Sequence, residues 1–266
     1  MKNIIFLTDF SKNSDSALDY FAAFSKDLPA SNIFLIHTYA LATKTGMLMS
    51  IKERMKDDAK SLLINRKRRF EKASGDKHFV FYKAIEGHLV DKVARLEKQL
   101  SATLIVSSMR GQNASKTNLI GRSSGSIISK TQVPILFIPP FHKYKKISKL
   151  TLALKTPKIK KKSTVEILDQ LFDVKDTKLK ILLADNPKGK FDIKDIHLKG
   201  MNHKVDGSDE KTIFDAIMKD QKKNGSDMVI GVRRKRGFFE KFLKSGSIKK
   251  KNFNIDVPLL VLRGVE

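Results

Sequence analysis

Short apolar runs bounded by turn formers alternate along this chain with stretches whose apolar residues recur every three or four positions. These are the periods of buried strands and of helices lying on them. Residues 4–7, 32–39, 78–84, 104–106 and 135–138 predict strands. Leu18, Phe21 and Ala22 after Ser14 mark the first intervening helix, and Ile51, Met55, Leu62 and Leu63 mark a long one over 47–73. Leu89, Val93, Leu96 and Leu100 after Gly87 mark the third, and a short helix opens at Ser123-Ser124. Five alternations with right-handed crossovers predict an α/β fold, a doubly wound parallel sheet covered on both faces.

The plan then repeats. Residues 1–140 form the first predicted domain, 141–148 a basic linker after Pro139-Pro140, and 149–266 a second domain. In the second, 149–154, 180–185, 227–232 and 256–262 predict strands, with helical faces at Val165, Leu168, Leu171 and Phe172 and at Ile213, Phe214 and Ile217. ADNPKGKFDIKD leaves no room for a long helix, so the second crossover is expected to be shortened, with a third strand over either 193–198 or 203–205. DVPLLVL echoes QVPILFI and SDMVIGV echoes SATLIVS, which reads as an internal duplication.

Composition narrows the class. With 266 residues, 41% of them hydrophobic, the chain can build two cores, and the lack of cysteine excludes disulfide and thiol chemistry. IIFL is too short for a signal sequence or membrane span, so a cytoplasmic protein without a membrane partner is expected. The net charge of +25 is global: Lys plus Arg against Asp plus Glu is 23 to 12 over residues 1–144 and 30 to 16 over 145–266. Such a field gathers nucleotides and other polyanions, so an acidic protein or nucleic acid is a second class of partner. RKRR (66–69), late in the long helix, suits the helix dipole and reads as a solvated helix end.

Residues 103–139, TLIVSSMRGQNASKTNLIGRSSGSIISKTQVPILFIP, combine strand, Ser/Gly/Asn loop, helix start and strand. Backbone N–H groups and a helix N-terminus can face a phosphate in that arrangement. The first strand ends in Thr8-Asp9-Phe10-Ser11, polar residues where open parallel sheets bind ligands. No P-loop, nucleophile elbow, H-E-x-x-H or paired-His signature is present, which favours a binding module over an enzyme; slow ATP hydrolysis without a recognisable base stays open.

These two stretches resemble the universal stress protein family. Its loop pattern is glycine, two residues, glycine, nine residues, then Gly-Ser or Gly-Thr. Ser108 falls at the first glycine, Gly111 at the second, Gly121 at the third, and Arg122 at the hydroxyl position. T-D-F-S matches the end of the family's first strand, and His37-Thr38 resembles its His-Val after the second.

The resemblance implies strand order 3-2-1-4-5, which joins the ends of strands 1 and 4 into one pocket. It also implies a stress-response role as a nucleotide-dependent regulatory module, binding ATP or another adenine nucleotide, with Mg an open companion. Thr8 and Asp9 would meet the adenosine and Thr38 the adenine. Ser107, Ser108, Arg110, Gly111, Gly121, Arg122, Ser123 and Ser124 would meet the phosphates, and no metal-ligand cluster or catalytic residue is expected. The last strands, VPILFI and VPLLVL, are expected to pair the two halves, and a homodimer is a further possibility by the family's habit. In the second half Lys155 stands where the first has Asp9, Gly231 is taken as the retained first loop glycine, and Arg234 and Lys244 replace the next two before Ser245. That domain is expected to be degenerate.

Overall fold

A computed structural model describes residues 1–39, 48–109, 122–155, 159, 163–186, 188, 201–233 and 255–264. The chain divides into two compact units, Met1–Tyr144 and Lys145–Glu266.

Unit 1 contains β1 (Lys2–Leu7), α1 (Lys12–Ser25), β2 (Ser31–Tyr39), α2 (Leu48–Ser74), β3 (Phe79–Glu86), α3 (Leu89–Gln99), β4 (Leu104–Ser108), α4 (Arg122–Lys130) and β5 (Ile135–Ile138). Its strands are parallel in the order β3-β2-β1-β4-β5. β1 is central and entirely buried from Ile4 to Leu7. Phe6 stacks on Phe21 of α1 at 5.9 Å, and Phe21 meets Phe70 of α2 at 5.4 Å, so one aromatic column ties the sheet to both helices. Burying each such ring stabilises the fold by about 1.5–3 kcal/mol.

The first helix starts earlier than the apolar spacing suggests. Ser11 is its N-cap, with φ −70° and ψ 160°, and its hydroxyl accepts from the Ser14 amide at 3.2 Å. Ser14 lies inside the helix, buried, and donates its hydroxyl to Thr8 Oγ1 at 2.9 Å. The basic tract of α2 is largely spent on its own fold. Arg66 makes a bidentate pair with Asp15 (2.7 and 2.9 Å), Lys67 pairs with Glu71, and Arg69 reaches Asp19. At the end of unit 1, Tyr144 packs against Tyr20 and Phe24 (ring centroids 5.4 and 5.9 Å) and donates to the Asp27 carboxylate.

Unit 2 contains β6 (Lys149–Leu154), α5 (Ser163–Leu171), β7 (Lys178–Leu183), β8 (His203–Gly207), α6 (Ile213–Lys223), β9 (Met228–Arg233) and β10 (Leu259–Arg263). Its parallel strands run β10-β9-β6-β7-β8, the same arrangement as in unit 1 when counted within the unit. The third strand takes the second of the two expected positions. Residues 193–198 lie outside the described residues, as does most of the crossover expected to be short. Asp227, just before β9, accepts from the Ser148 and Lys149 amides, both at 2.9 Å, and so fixes the start of β6. Among the described residues no helix is long and apolar enough to cross a membrane.

Candidate functional site

The site in unit 1 is built on strand register. Leu7 of β1 lies beside Ile36 of β2 on one side and Ser107 of β4 on the other. The next residues therefore emerge together at the carboxyl edge: Thr8 and Asp9, His37 and Thr38, Ser108 and Met109. The order β2-β1-β4 is where the winding of a doubly wound sheet reverses and a crevice opens.

Asp9 is exposed, and its Oδ1 accepts from the Ser11 amide (3.1 Å) and the Ser11 hydroxyl (2.6 Å). This local turn orients the carboxylate at the mouth of the sheet. Thr8 is buried; its Oγ1 accepts from the Phe10 amide at 3.1 Å, and its carbonyl lies 2.9 Å from His37 Nδ1. A carbonyl can only accept, so Nδ1 carries the proton and Nε2 is left as the acceptor of that ring. Burial holds the His37 pKa below its ordinary value, against the opposing pull of the Thr8 carbonyl and Asp9.

Sequence reasoning missed a cluster beside this edge. Phe10 adopts φ 63°, a left-handed conformation uncommon for a residue with a Cβ. The turn places its ring on His37 with centroids 4.0 Å apart, while the Arg66 guanidinium lies 4.6 Å from the Phe10 centroid. Arg66 also donates to the Phe10 carbonyl at 3.3 Å, in addition to its pair with Asp15. The three rings and planes come from the turn after β1, from β2 and from α2, and no local motif announces them. The one sequence signal was the run of basic residues on α2, whose spacing points equally to a solvated face.

Thr38 is half-buried in β2 beside Ile85, and Ser107 and Ser108 are buried in β4. Arg122, Ser123 and Ser124 form the first turn of α4. Arg110, Gly111 and Gly121 lie outside the described residues. Among the described residues no group of three or more His, Cys, Asp or Glu side chains could hold a metal ion.

The corresponding edge of unit 2 is chemically different. Lys155, directly after β6, reaches Asp185 Oδ2 at 3.2 Å after β7 and donates to the Lys211 carbonyl at 3.1 Å. Asp185, at φ 59°, donates its amide to the Glu210 carbonyl at 2.8 Å, and Asn186 donates to that of Ser208 at 3.0 Å. The ends beyond β6, β7 and β8 are thus tied to one another. Gly231 requires a correction: it pairs with Ala153 inside β9, the register position that Ser107 holds against Leu7 in unit 1. It is a buried strand residue, one place short of the first loop glycine. The apolar run through it extends the ladder to Arg233. Arg234, Lys244 and Ser245 lie outside the described residues.

Residues 1–139 match the family model described as universal stress protein family. The whole chain is similar in structure to a universal stress protein from Archaeoglobus fulgidus, at 17% identity and TM-score 0.73 over 99% of this chain and 97% of that one. It is also similar to a protein of unknown function from Pseudomonas aeruginosa, at 8% identity and TM-score 0.56 over 99% and 93%. At such identities these two likenesses speak for the fold alone. A universal stress protein solved in complex with cAMP aligns over 52% of this chain and 97% of its own, at 18% identity and TM-score 0.37. No curated protein matches the chain at a significant level. The family model spans more than half of the chain, over the unit whose strand order and carboxyl-edge residues have just been described, and the chain belongs to the universal stress protein family.

Proposed function

We propose that unit 1 binds an adenine nucleotide at the carboxyl edge of β1 and β4, and that the protein acts as a nucleotide-dependent regulatory module in a stress response. The observation that carries this reading is the register Leu7↔Ser107, which brings the end of β1, where Asp9 follows, beside the end of β4, which the Gly/Ser-bearing sequence follows. The residues present suit the ligand. An exposed carboxylate held by Ser11 is a ready acceptor for ribose hydroxyls, and Thr38 brings backbone polar groups to the same edge for the adenine. On the phosphate side, the sequence between β4 and α4 carries Arg110, Gly111 and Gly121, and α4 begins at Arg122. A helix start favours negative charge, and Arg122, Ser123 and Ser124 stand in its first turn. Unit 2 is proposed to be degenerate, because Lys155 occupies the place of Asp9 and is itself engaged by Asp185.

Isothermal titration of the purified chain with ATP, ADP and AMP tests this reading. One site per chain is expected, lost or weakened in Asp9→Ala. Absence of binding by all three nucleotides would leave the basic surface as the functional feature.

A further inference from the structure

The far edge of the unit 1 sheet is β3, the end of the order β3-β2-β1-β4-β5. Edge strands carry a row of backbone N–H and C=O groups pointing away from the sheet, and proteins commonly guard them with prolines, charges or short length. β3 has eight residues, FVFYKAIE, and no proline. Lys83 is the exposed charge within the strand, while those at its ends are engaged: Lys77 donates to the Lys26 carbonyl at 2.6 Å, and Glu86 pairs with Lys52 at 2.8 Å. Apolar area is displayed instead. Phe79 is 57% exposed, Phe81 48% and Tyr82 39%. Phe81 stacks on Phe34 of β2 at 5.1 Å, so the patch runs inward across the sheet from the open edge.

We propose that β3 is a homodimer edge, joined antiparallel to β3 of a second copy about a two-fold axis at Phe81. A two-fold axis perpendicular to the sheet keeps each side chain on its own face, so only residues of like parity can stand opposite one another. Centring on Phe81 sets Phe81 against its own symmetry mate, Val80 against Tyr82, and Phe79 against Lys83. Every pair is favourable by type: an aromatic pair, an aromatic with a β-branched residue, and a cation over an aromatic face. No like charges are opposed. The two Lys83 side chains lie four strand residues apart, about 14 Å, beyond the screening length of about 8 Å at physiological salt. This self-complementarity favours a second copy over an unrelated strand, and Lys83 disfavours the register centred on itself, where two ammoniums would stand opposite each other.

The net charge of +25 on each chain opposes the association and is screened by salt. Self-association should therefore strengthen as salt is added, whereas docking of an acidic segment on the same edge would weaken. Sedimentation velocity of the full chain over a concentration series at low and high salt reads this directly.

Phe81→Lys places like charges opposite each other at the axis and is expected to raise the dimer dissociation constant roughly tenfold or more. Phe81→Glu should do the same, and an equimolar mixture of the two variants should recover a heterodimer. Circular dichroism establishes that each variant is folded, as expected for a half-exposed position. A wild-type chain that is monomeric throughout overturns the proposal, and so does a dimer indifferent to both substitutions. Nucleotide titration of the same variants should be unchanged, so this test fails or succeeds independently of the proposed ligand site.

Discussion

At the carboxyl end of its first strand, unit 1 presents a carboxylate and unit 2 presents an ammonium. Asp9 is turned by Ser11 toward a crevice, whereas Lys155 is drawn onto Asp185 and the Lys211 carbonyl. The folds are the same in strand order, so the difference lies in what each edge does with its polar groups. One edge leaves its carboxylate exposed. The other has paired its groups within the chain. The cores differ in the same sense: unit 1 packs Phe6, Phe21 and Phe70 together, and unit 2 buries a charged pair, Lys180 of β7 with Asp220 of α6, at 2.6 and 2.8 Å. A sheet of the same strand order can thus carry polar residues that are engaged in structural tasks.

The largest expected effect lies in that buried pair. Lys180 and Asp220 are each 7% exposed, and Asn224 also donates to Asp220 at 2.7 Å. Asp220→Ala strands a buried ammonium, and removing one partner of such a pair costs about 3–5 kcal/mol. Replacing both, as Lys180→Met with Asp220→Leu, should be near neutral or stabilising, because the cost of burying two charges disappears with them. Urea unfolding monitored by hydrogen exchange should show the single substitution lowering protection in β6 to β9 while β1 to β5 keep theirs. Equal losses in single and double variants would mean that shape, not charge, is the cause.

Next comes the ligand itself. Asp9→Ala is expected to weaken nucleotide binding by about 1–3 kcal/mol, the scale of a hydrogen bond to a charged group. Lys155→Ala should leave that affinity unchanged. Two nucleotides per wild-type chain would erase the distinction between the units.

Much of this architecture is legible in the sequence, because apolar runs and helical spacing follow from burial on one or both faces. The strands other than β8, which the pattern leaves between two positions, and the carboxyl-edge position of Asp9 come from that pattern, and the family's strand order joins β1 to β4. What the pattern hides is register and long-range pairing. Ser11 and Ser14 are equally good caps by type, and only the turn at Phe10 decides between them. Gly231 resembles a loop glycine until β9 is seen to run through it. Phe10, His37 and Arg66 meet from three segments. The implied strand order already sets β3 at the edge, but nothing in its own pattern shows that Phe79, Phe81 and Tyr82 are left exposed there.

A smaller effect separates the units by pH. Burial holds both His37 and His78 of unit 1 below the ordinary histidine value of 6.5. His78 is buried, with Nε2 3.0 Å from the Ser25 carbonyl and, among the described residues, no hydrogen-bond partner for Nδ1. The folded state thus keeps these rings neutral while the unfolded chain takes up protons at higher pH. Their contribution is full above pH 6.5 and is lost as pH falls from there toward the lowered folded values. Thermal unfolding between pH 7.5 and 5 should show this decline, reduced in His78→Gln. An unchanged decline in that variant would remove His78 as the cause.

The smallest stability effect should come from the residue that defines the comparison. The Lys155 and Asp185 side chains are about half exposed (54% and 53%), so water competes for both and the pair is worth about 0–1 kcal/mol. Lys155→Ala should therefore barely move the urea midpoint. It should also fail to create a second nucleotide site. Removing the ammonium leaves the Asp185 and Asn186 amides bonded to the Glu210 and Ser208 carbonyls, so the strand ends remain tied without it. Titration of Lys155→Ala with ATP is expected to give one site per chain, as in the wild type. A second site would mean that one cation, and not the loss of the whole edge, separates the two halves; the pairing at Asp185 would then be a removable plug.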